Sequence, residues 1–177
     1  CIRDRHNTDA RAAVDALENR LDLEAAQCLV IGAGGAARAV AFALKELCRS
    51  VTIANRTRSH AETLARSLGC RWVPLSEAVN VKADLVINTT PVGMHPEISA
   101  IPVTARALEH ASSVMDIIYR PRRTALLDLA AQMGCITIGG EEMFLRQAAA
   151  QFQLWTGLEA PLNRMRDAFE PALKGKR

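Results

Sequence analysis

The 177-residue chain lacks the marks of several protein classes. Its five cysteines, Cys1, Cys28, Cys48, Cys70 and Cys135, are scattered, odd in number and form no CxxC pair. That pattern argues against a disulfide frame or a cysteine-held metal, and for reduced thiols in a cytoplasmic protein. No apolar run approaches membrane-spanning length, and no signal peptide is visible, so no membrane partner is expected. Neither sign of charge dominates. With 22 Lys and Arg against 19 Asp and Glu, the net charge of +3 is too small and too dispersed to imply nucleic acid. The basic run at 174–177 reads as a solvated tail, and no internal repeat or low-complexity stretch occurs. An initiating methionine is also missing. The start at Cys1, in the middle of a polar phrase, reads as a cut from a longer polypeptide, with processing as the alternative.

What is present suits one good-sized domain, or one domain with appended helices. The organising stretch is 28–38, CLVIGAGGAAR. Leu29, Val30 and Ile31 form a short continuous apolar run, the pattern of a strand buried on both faces of a parallel sheet. Gly32, Ala33, Gly34, Gly35 and Ala36 follow, and 36–47 has helical spacing of apolar residues. In a strand–turn–helix unit the first glycine permits a tight turn, and the second lets the backbone approach a ligand. A small residue in the third slot, here Ala37, lets helix pack on strand. Free N–H groups at the helix start then suit a pyrophosphate. The plain alternative is a tight turn alone.

The rest of the chain alternates. A helix is expected over 9–21, capped by Asn7 or Thr8, with Asp9 in its first turn as a plain dipole-favoured acid. Strands are expected at 51–54, 70–73, 84–88, 113–117 and 135–138. Helical segments are expected at 59–68, 76–79, 104–108, 124–133, 141–155 and 162–169. This predicts an α/β fold with a doubly wound parallel sheet of about six strands, ordered 3-2-1-4-5-6, with extra terminal helices. Those helices either cover the sheet or dock a neighbouring domain. Phe144, Ala148, Phe152 and Trp155 lie near one face of the long helix and read as core; a homodimer interface there is the alternative.

After the second strand, where NAD-binding domains carry an acid for the ribose, the chain has Asn55, Arg56, Thr57 and Arg58. The guanidinium fork of Arg56 suits a 2′-phosphate, which points to NADP; two solvated loop arginines are the plain reading. Thr89 to Met94 stands at the carboxyl end of the fourth strand, where such sheets meet ligands.

Several motifs align in order with one family. The chain resembles the cofactor-binding half of shikimate dehydrogenases through NTD at 7–9, GAGGAARA at 32–39, NRT at 55–57 and INTTPVGM at 87–94. DIIYRP at 116–121, GGEEMFLRQA at 139–148 and FQLWTG at 152–157 complete the set. The resemblance implies a Rossmann-like NADP domain spanning 1–177. It also implies reversible NADPH-dependent reduction of 3-dehydroshikimate to shikimate, toward chorismate and the aromatic amino acids. Asp9 becomes the catalytic and substrate-binding acid, with Gln147 and Tyr119 as further substrate residues. Gly32 to Ala36 would take the pyrophosphate, and Asn55, Arg56 and Thr57 the 2′-phosphate. Thr89, Met94, Ile117 and Gly140 would line the nicotinamide side.

Ala10 follows NTD where the family often has glycine. His60 stands where a second basic residue often lies after NRT, and Arg58 is the substitute. The family's substrate domain, with its serine pair, catalytic lysine and asparagine, precedes NTD and has no counterpart in this sequence. Lys45 and Lys82 read as surface residues. The expected partners are therefore that domain and the small-molecule substrate, with the chain alone inactive. The parent is either a stand-alone enzyme or a fusion, for instance with dehydroquinate dehydratase. The rivals are an NAD-using quinate or shikimate dehydrogenase and a non-catalytic nucleotide-sensing domain.

Overall fold

A computed structural model of the chain describes residues 7–18 and 20–174. Cys1, the charged lead-in to residue 6 and the last three residues of the basic tail lie outside them. Six parallel strands, β1 (Gln27–Ile31), β2 (Ser50–Asn55), β3 (Arg71–Pro74), β4 (Leu85–Asn88), β5 (Ser113–Asp116) and β6 (Ile136–Ile138), form one sheet. Its order is β3-β2-β1-β4-β5-β6, as the alternation of elements predicts. Six α-helices accompany it: α1 (Thr8–Leu17), α2 (Gly35–Leu44), α3 (Arg58–Leu68), α4 (Ala125–Gln132), α5 (Gly140–Thr156) and α6 (Leu162–Lys174). The expected helical segments near 76–79 and 104–108 are 3-10 helices, Leu75–Asn80 and Ala105–Leu108.

The inner strands β1, β2, β4 and β5 have apolar runs because both of their sides are covered, while the edge strands β3 and β6 are partly exposed. In β1, Cys28 and Val30 pack on the side of α1, α2 and α3, while Leu29 and Ile31 pack toward α4 and the two 3-10 helices. That alternation is the period-two pleat filling two separate cores. Helix α1 is part of the first layer, since it packs on α2 and α5 and buries Ala13, Val14 and Leu17. Asn7 caps it, its side-chain oxygen accepting the Asp9 and Ala10 N–H groups at 3.2 Å. Such a cap stabilises a helix by about 1 kcal/mol.

The end of α5 departs from expectation. Its buried residues are Gly140, Met143 and Leu145, whereas Trp155 is 81% exposed and Leu154, Leu158 and Leu162 are exposed beside it. None of the apolar stripe read as core is buried: Phe144 and Trp155 are exposed, Ala148 and Phe152 half-buried, and the core contacts fall to Met143 and Leu145 instead. Periodicity marks an apolar face, but not whether this chain supplies what covers it.

The four described cysteines are free, and burial raises the pKa of each thiol. Lys45 pairs with Glu46 at 3.1 Å, and Lys82 is exposed beside Gln27, Ser50 and Arg71, at the amino ends of the strands.

Candidate functional site

All six strands run the same way, so their carboxyl ends share one edge, and the strand order reverses between β1 and β4. Crevices that bind ligands form at that edge and that reversal. The loops that the sequence singles out leave from it: the glycine turn after β1, residues 55–57 after β2, 89–94 after β4, 117–120 after β5 and Gly139 and Gly140 after β6.

The glycines of the first turn have different duties. Gly32 has φ +116°, and a Cβ there would lie 2.5 Å from Thr89 Oγ1, which itself donates to the Ile31 carbonyl at 2.6 Å. This glycine is required by the fold, because two strand ends meet over it. Gly34 and Gly35 are exposed, and a Cβ on either would meet nothing within 4 Å. No contact within the chain demands glycine there. The helix N-terminus they open onto carries no side-chain cap, so its N–H groups remain available to an anion.

At the end of β2, Asn55 is half-buried and its Nδ2 donates to the Thr57 carbonyl at 2.9 Å, which fixes the turn. Arg56 and Thr57 are exposed. Thr57 stands at the N-cap of α3 without a side-chain capping bond, leaving its hydroxyl and the helix N-terminus open. Arg58 begins α3 and its guanidinium lies 5.1 Å from the centre of the Trp72 ring. A stacked arginine keeps its charge and its edge donors. Arg56 also borders a cleft of about 390 Å³ between residues 74–79 and 102–104.

A second cleft of about 510 Å³, lined mostly by apolar atoms, lies between the β4 and β5 loops. Thr89, Met94, Ile117 and Tyr119 line it, together with His95 and Arg120. Gly140 stands behind this wall and not on its surface: it is buried, and a Cβ there would lie 2.2 Å from the Ile117 carbonyl oxygen. Its smallness lets α5 start hard against the β5 loop. Tyr119 packs on Phe144 with ring centres 5.0 Å apart, and Phe144 stacks on Phe169 at 4.8 Å, which ties the cleft to α5 and α6.

Asp9 and Gln147 are 138 residues apart in sequence, yet Gln147 Nε2 donates to Asp9 Oδ1 at 2.5 Å. Both are half-buried, where α1 packs on α5. The capping duty at this helix falls to Asn7, which leaves the Asp9 carboxylate free for other partners.

The strand-end residues Asn88 and Asp116 and the α4 N-cap Thr124 were not singled out by the sequence, and all three are fully buried. Thr124 Oγ1 donates to Asp116 Oδ2 at 2.7 Å, and Asn88 Nδ2 donates to Asp116 Oδ1 at 3.1 Å. Burial pushes the Asp116 carboxyl up to about 6, while the bonds from Thr124, the Ile118 N–H and Asn88 pull it the other way. The available signal was a charged residue ending an apolar strand, SVMD. Among the described residues no cluster of His, Cys, Asp or Glu is arranged to hold a metal. No helix among them is long and apolar enough to cross a membrane.

Comparison with known proteins agrees with this geometry. Residues 13–93 match the family described as shikimate / quinate 5-dehydrogenase, and 140–168 match the shikimate 5'-dehydrogenase C-terminal domain. A shikimate dehydrogenase (NADP(+)) of Methanocella arvoryzae is 42% identical over 174 residues, covering 94% of this chain and 64% of that protein. A bifunctional 3-dehydroquinate dehydratase/shikimate dehydrogenase of Arabidopsis thaliana is 38% identical over 88% of this chain and 29% of its own length. The crystal structure of shikimate 5-dehydrogenase from Thermus thermophilus, in complex with NADP(H) and shikimate, superposes with a TM-score of 0.85. It is 40% identical and matches over 94% of this chain and 63% of that one. The chain thus spans less than two thirds of the length of these relatives. On fold, motifs and these likenesses together, it belongs to the shikimate dehydrogenase family.

Proposed function

We propose that this chain is the NADP(H)-binding part of an enzyme that reversibly reduces 3-dehydroshikimate to shikimate. The observation that carries the reading is the β2 end. There an acid that would repel a 2′-phosphate is absent, and Arg56 and Thr57 stand exposed beside an uncapped helix N-terminus. The pyrophosphate would lie over Gly34 and Gly35, whose missing Cβ atoms leave space that no part of the chain fills. The nicotinamide would enter the cleft lined by Thr89, Met94, Ile117 and Tyr119. The cofactor supplies the hydride. The chain's share is to hold that ring and to orient the substrate.

Asp9 and Gln147 are the substrate residues of this reading. Their mutual bond fixes the carboxylate so that its free lone pairs face a diol rather than rotate in water. The sensor alternative gains nothing from such a pair. Protonation of the reacting oxygen needs a positioned acid–base group. In this reading that group comes from a preceding substrate domain seated against α5 and α6, where Leu154, Trp155, Leu158 and Leu162 lie exposed. The Arabidopsis relative's double name makes a fused parent one arrangement of the same parts.

Asp9→Asn in the full-length parent tests the reading. The expected result is loss of most of kcat with NADPH binding retained. Unchanged kcat would remove Asp9 from the chemistry. This chain alone is expected to bind NADPH and turn over little shikimate; turnover near that of an intact enzyme would overturn the need for a second domain.

A further inference from the structure

The Asp116 carboxylate is fully buried and no step of the cofactor reading uses it. Its partners are neutral donors from three separate segments. Asn88 donates from the end of β4, the Ile118 N–H from the β5 loop at 3.1 Å, and Thr124 from the start of α4. Asn88 extends the chain of bonds. Its Nδ2 also donates to the Val92 carbonyl at 3.3 Å, and its Oδ1 accepts the Thr90 N–H at 3.0 Å and the Thr90 hydroxyl at 2.7 Å. One carboxylate therefore ties residues 88–92 to residues 117–118. These are the two walls of the apolar cleft between the β4 and β5 loops. Neither wall is regular structure. They leave the sheet at the paired residues Asn88 and Asp116, joined there by the Ile117 N–H donating to the Asn88 carbonyl at 3.1 Å and by the Asn88–Asp116 side-chain bond.

We propose that Asp116 is a positioning residue, holding the β4 and β5 loops at the separation that admits a nicotinamide ring. An acceptor-only group suits this task. Each of its oxygens receives a donor, and both walls are oriented from one point. An amide in its place keeps one acceptor oxygen, so the three donors can no longer all be met: its N–H₂ faces either the Asn88 and Ile118 N–H groups or the Thr124 hydroxyl. The walls would then shift, while the glycine turn and the β2 end, which share no bond with Asp116, stay as they are.

The inference rests on the reading of this edge as an NADP(H) site, and the test separates the two. NADPH and adenosine 2′,5′-bisphosphate, which lacks the nicotinamide half, are titrated against the wild-type chain, Asp116→Asn and Leu44→Ala. Leu44 is fully buried at the C-terminal end of α2 and shares no bond with Asp116. Leu44→Ala therefore lowers stability without touching the Asn88, Ile118 and Thr124 bonds. The expected result is that Asp116→Asn weakens NADPH roughly tenfold, about one hydrogen bond's net worth, and leaves the bisphosphate within about twofold. Leu44→Ala is expected to weaken neither. Should Asp116→Asn fail to fold, Asn88→Ser removes the bridging amide and must give the same split. An equal loss for both ligands, no loss, or the same split in Leu44→Ala would overturn the positioning role and leave the cofactor reading standing. Failure of the wild type to bind either ligand would overturn the cofactor reading, and this inference with it.

Discussion

Replacing two glycines of one turn is expected to separate folding from binding. In Gly32→Ala the new Cβ meets Thr89 Oγ1 at 2.5 Å on a backbone with φ +116°. A side chain held in so sparsely populated a region costs roughly 1–3 kcal/mol. Displacing Thr89 also breaks its bond to the Ile31 carbonyl, worth about 1 kcal/mol. A loss of about 2–4 kcal/mol lowers the melting temperature of a chain of this size by roughly 5–15 °C. Gly34 has φ −88° and ψ −165°, extended backbone that alanine adopts, and its Cβ would meet nothing within 4 Å. Gly34→Ala should melt within about 2 °C of wild type. The same methyl would stand where the pyrophosphate must approach, weakening NADPH at least tenfold, or about 1.4 kcal/mol. Thermal melts and NADPH fluorescence titrations on the three proteins decide the matter. Wild-type affinity in Gly34→Ala would refute the assignment of that space to a ligand. A wild-type melt of Gly32→Ala would refute the close approach of the two strand ends.

Other consequences are equally direct. Gly140→Ala puts a Cβ 2.2 Å from a backbone oxygen that no side-chain rotation can move, and is expected to cost about 3 kcal/mol by thermal melt. Asp116 gives a pH signature. Its pKa of about 6 lies above the ordinary 3.8, so between these values the folded state keeps a proton that the unfolded state has released. Its contribution to stability is therefore full below about pH 4, falls as pH rises toward 6, and levels off above, a change of about 3 kcal/mol. Melts of wild type and Asp116→Asn from pH 4 to 7 should show that declining difference; parallel profiles would contradict it.

The fold was legible because its signals are local. Continuous apolar runs such as CLVI and DLVI, each followed by turn residues, mark strands buried on both faces, and right-handed crossovers then leave few strand orders. The glycine turn and the missing acid after β2 were local too. What stayed hidden depends on distant partners. Nothing near Asp116 in sequence announces that Asn88 will meet it, and the duty of Gly32 appears only when Thr89 arrives above it. Asp9 looked like a first-turn acid from its own neighbours; its bond to Gln147 required α5 to fold back onto α1. Trp155 was misjudged because an apolar stripe does not say what lies opposite.

Recognition of a 2′-phosphate by residues 55–57 would separate an NADP(H) site from an NAD(H) site. Paired fluorescence titrations of this chain with NADPH and NADH, repeated with Arg56→Ala, read that recognition out. NADPH is expected to bind at least tenfold tighter than NADH, or about 1.4 kcal/mol, and Arg56→Ala to lose most of that preference. Equal or tighter NADH binding by the wild-type chain would contradict it.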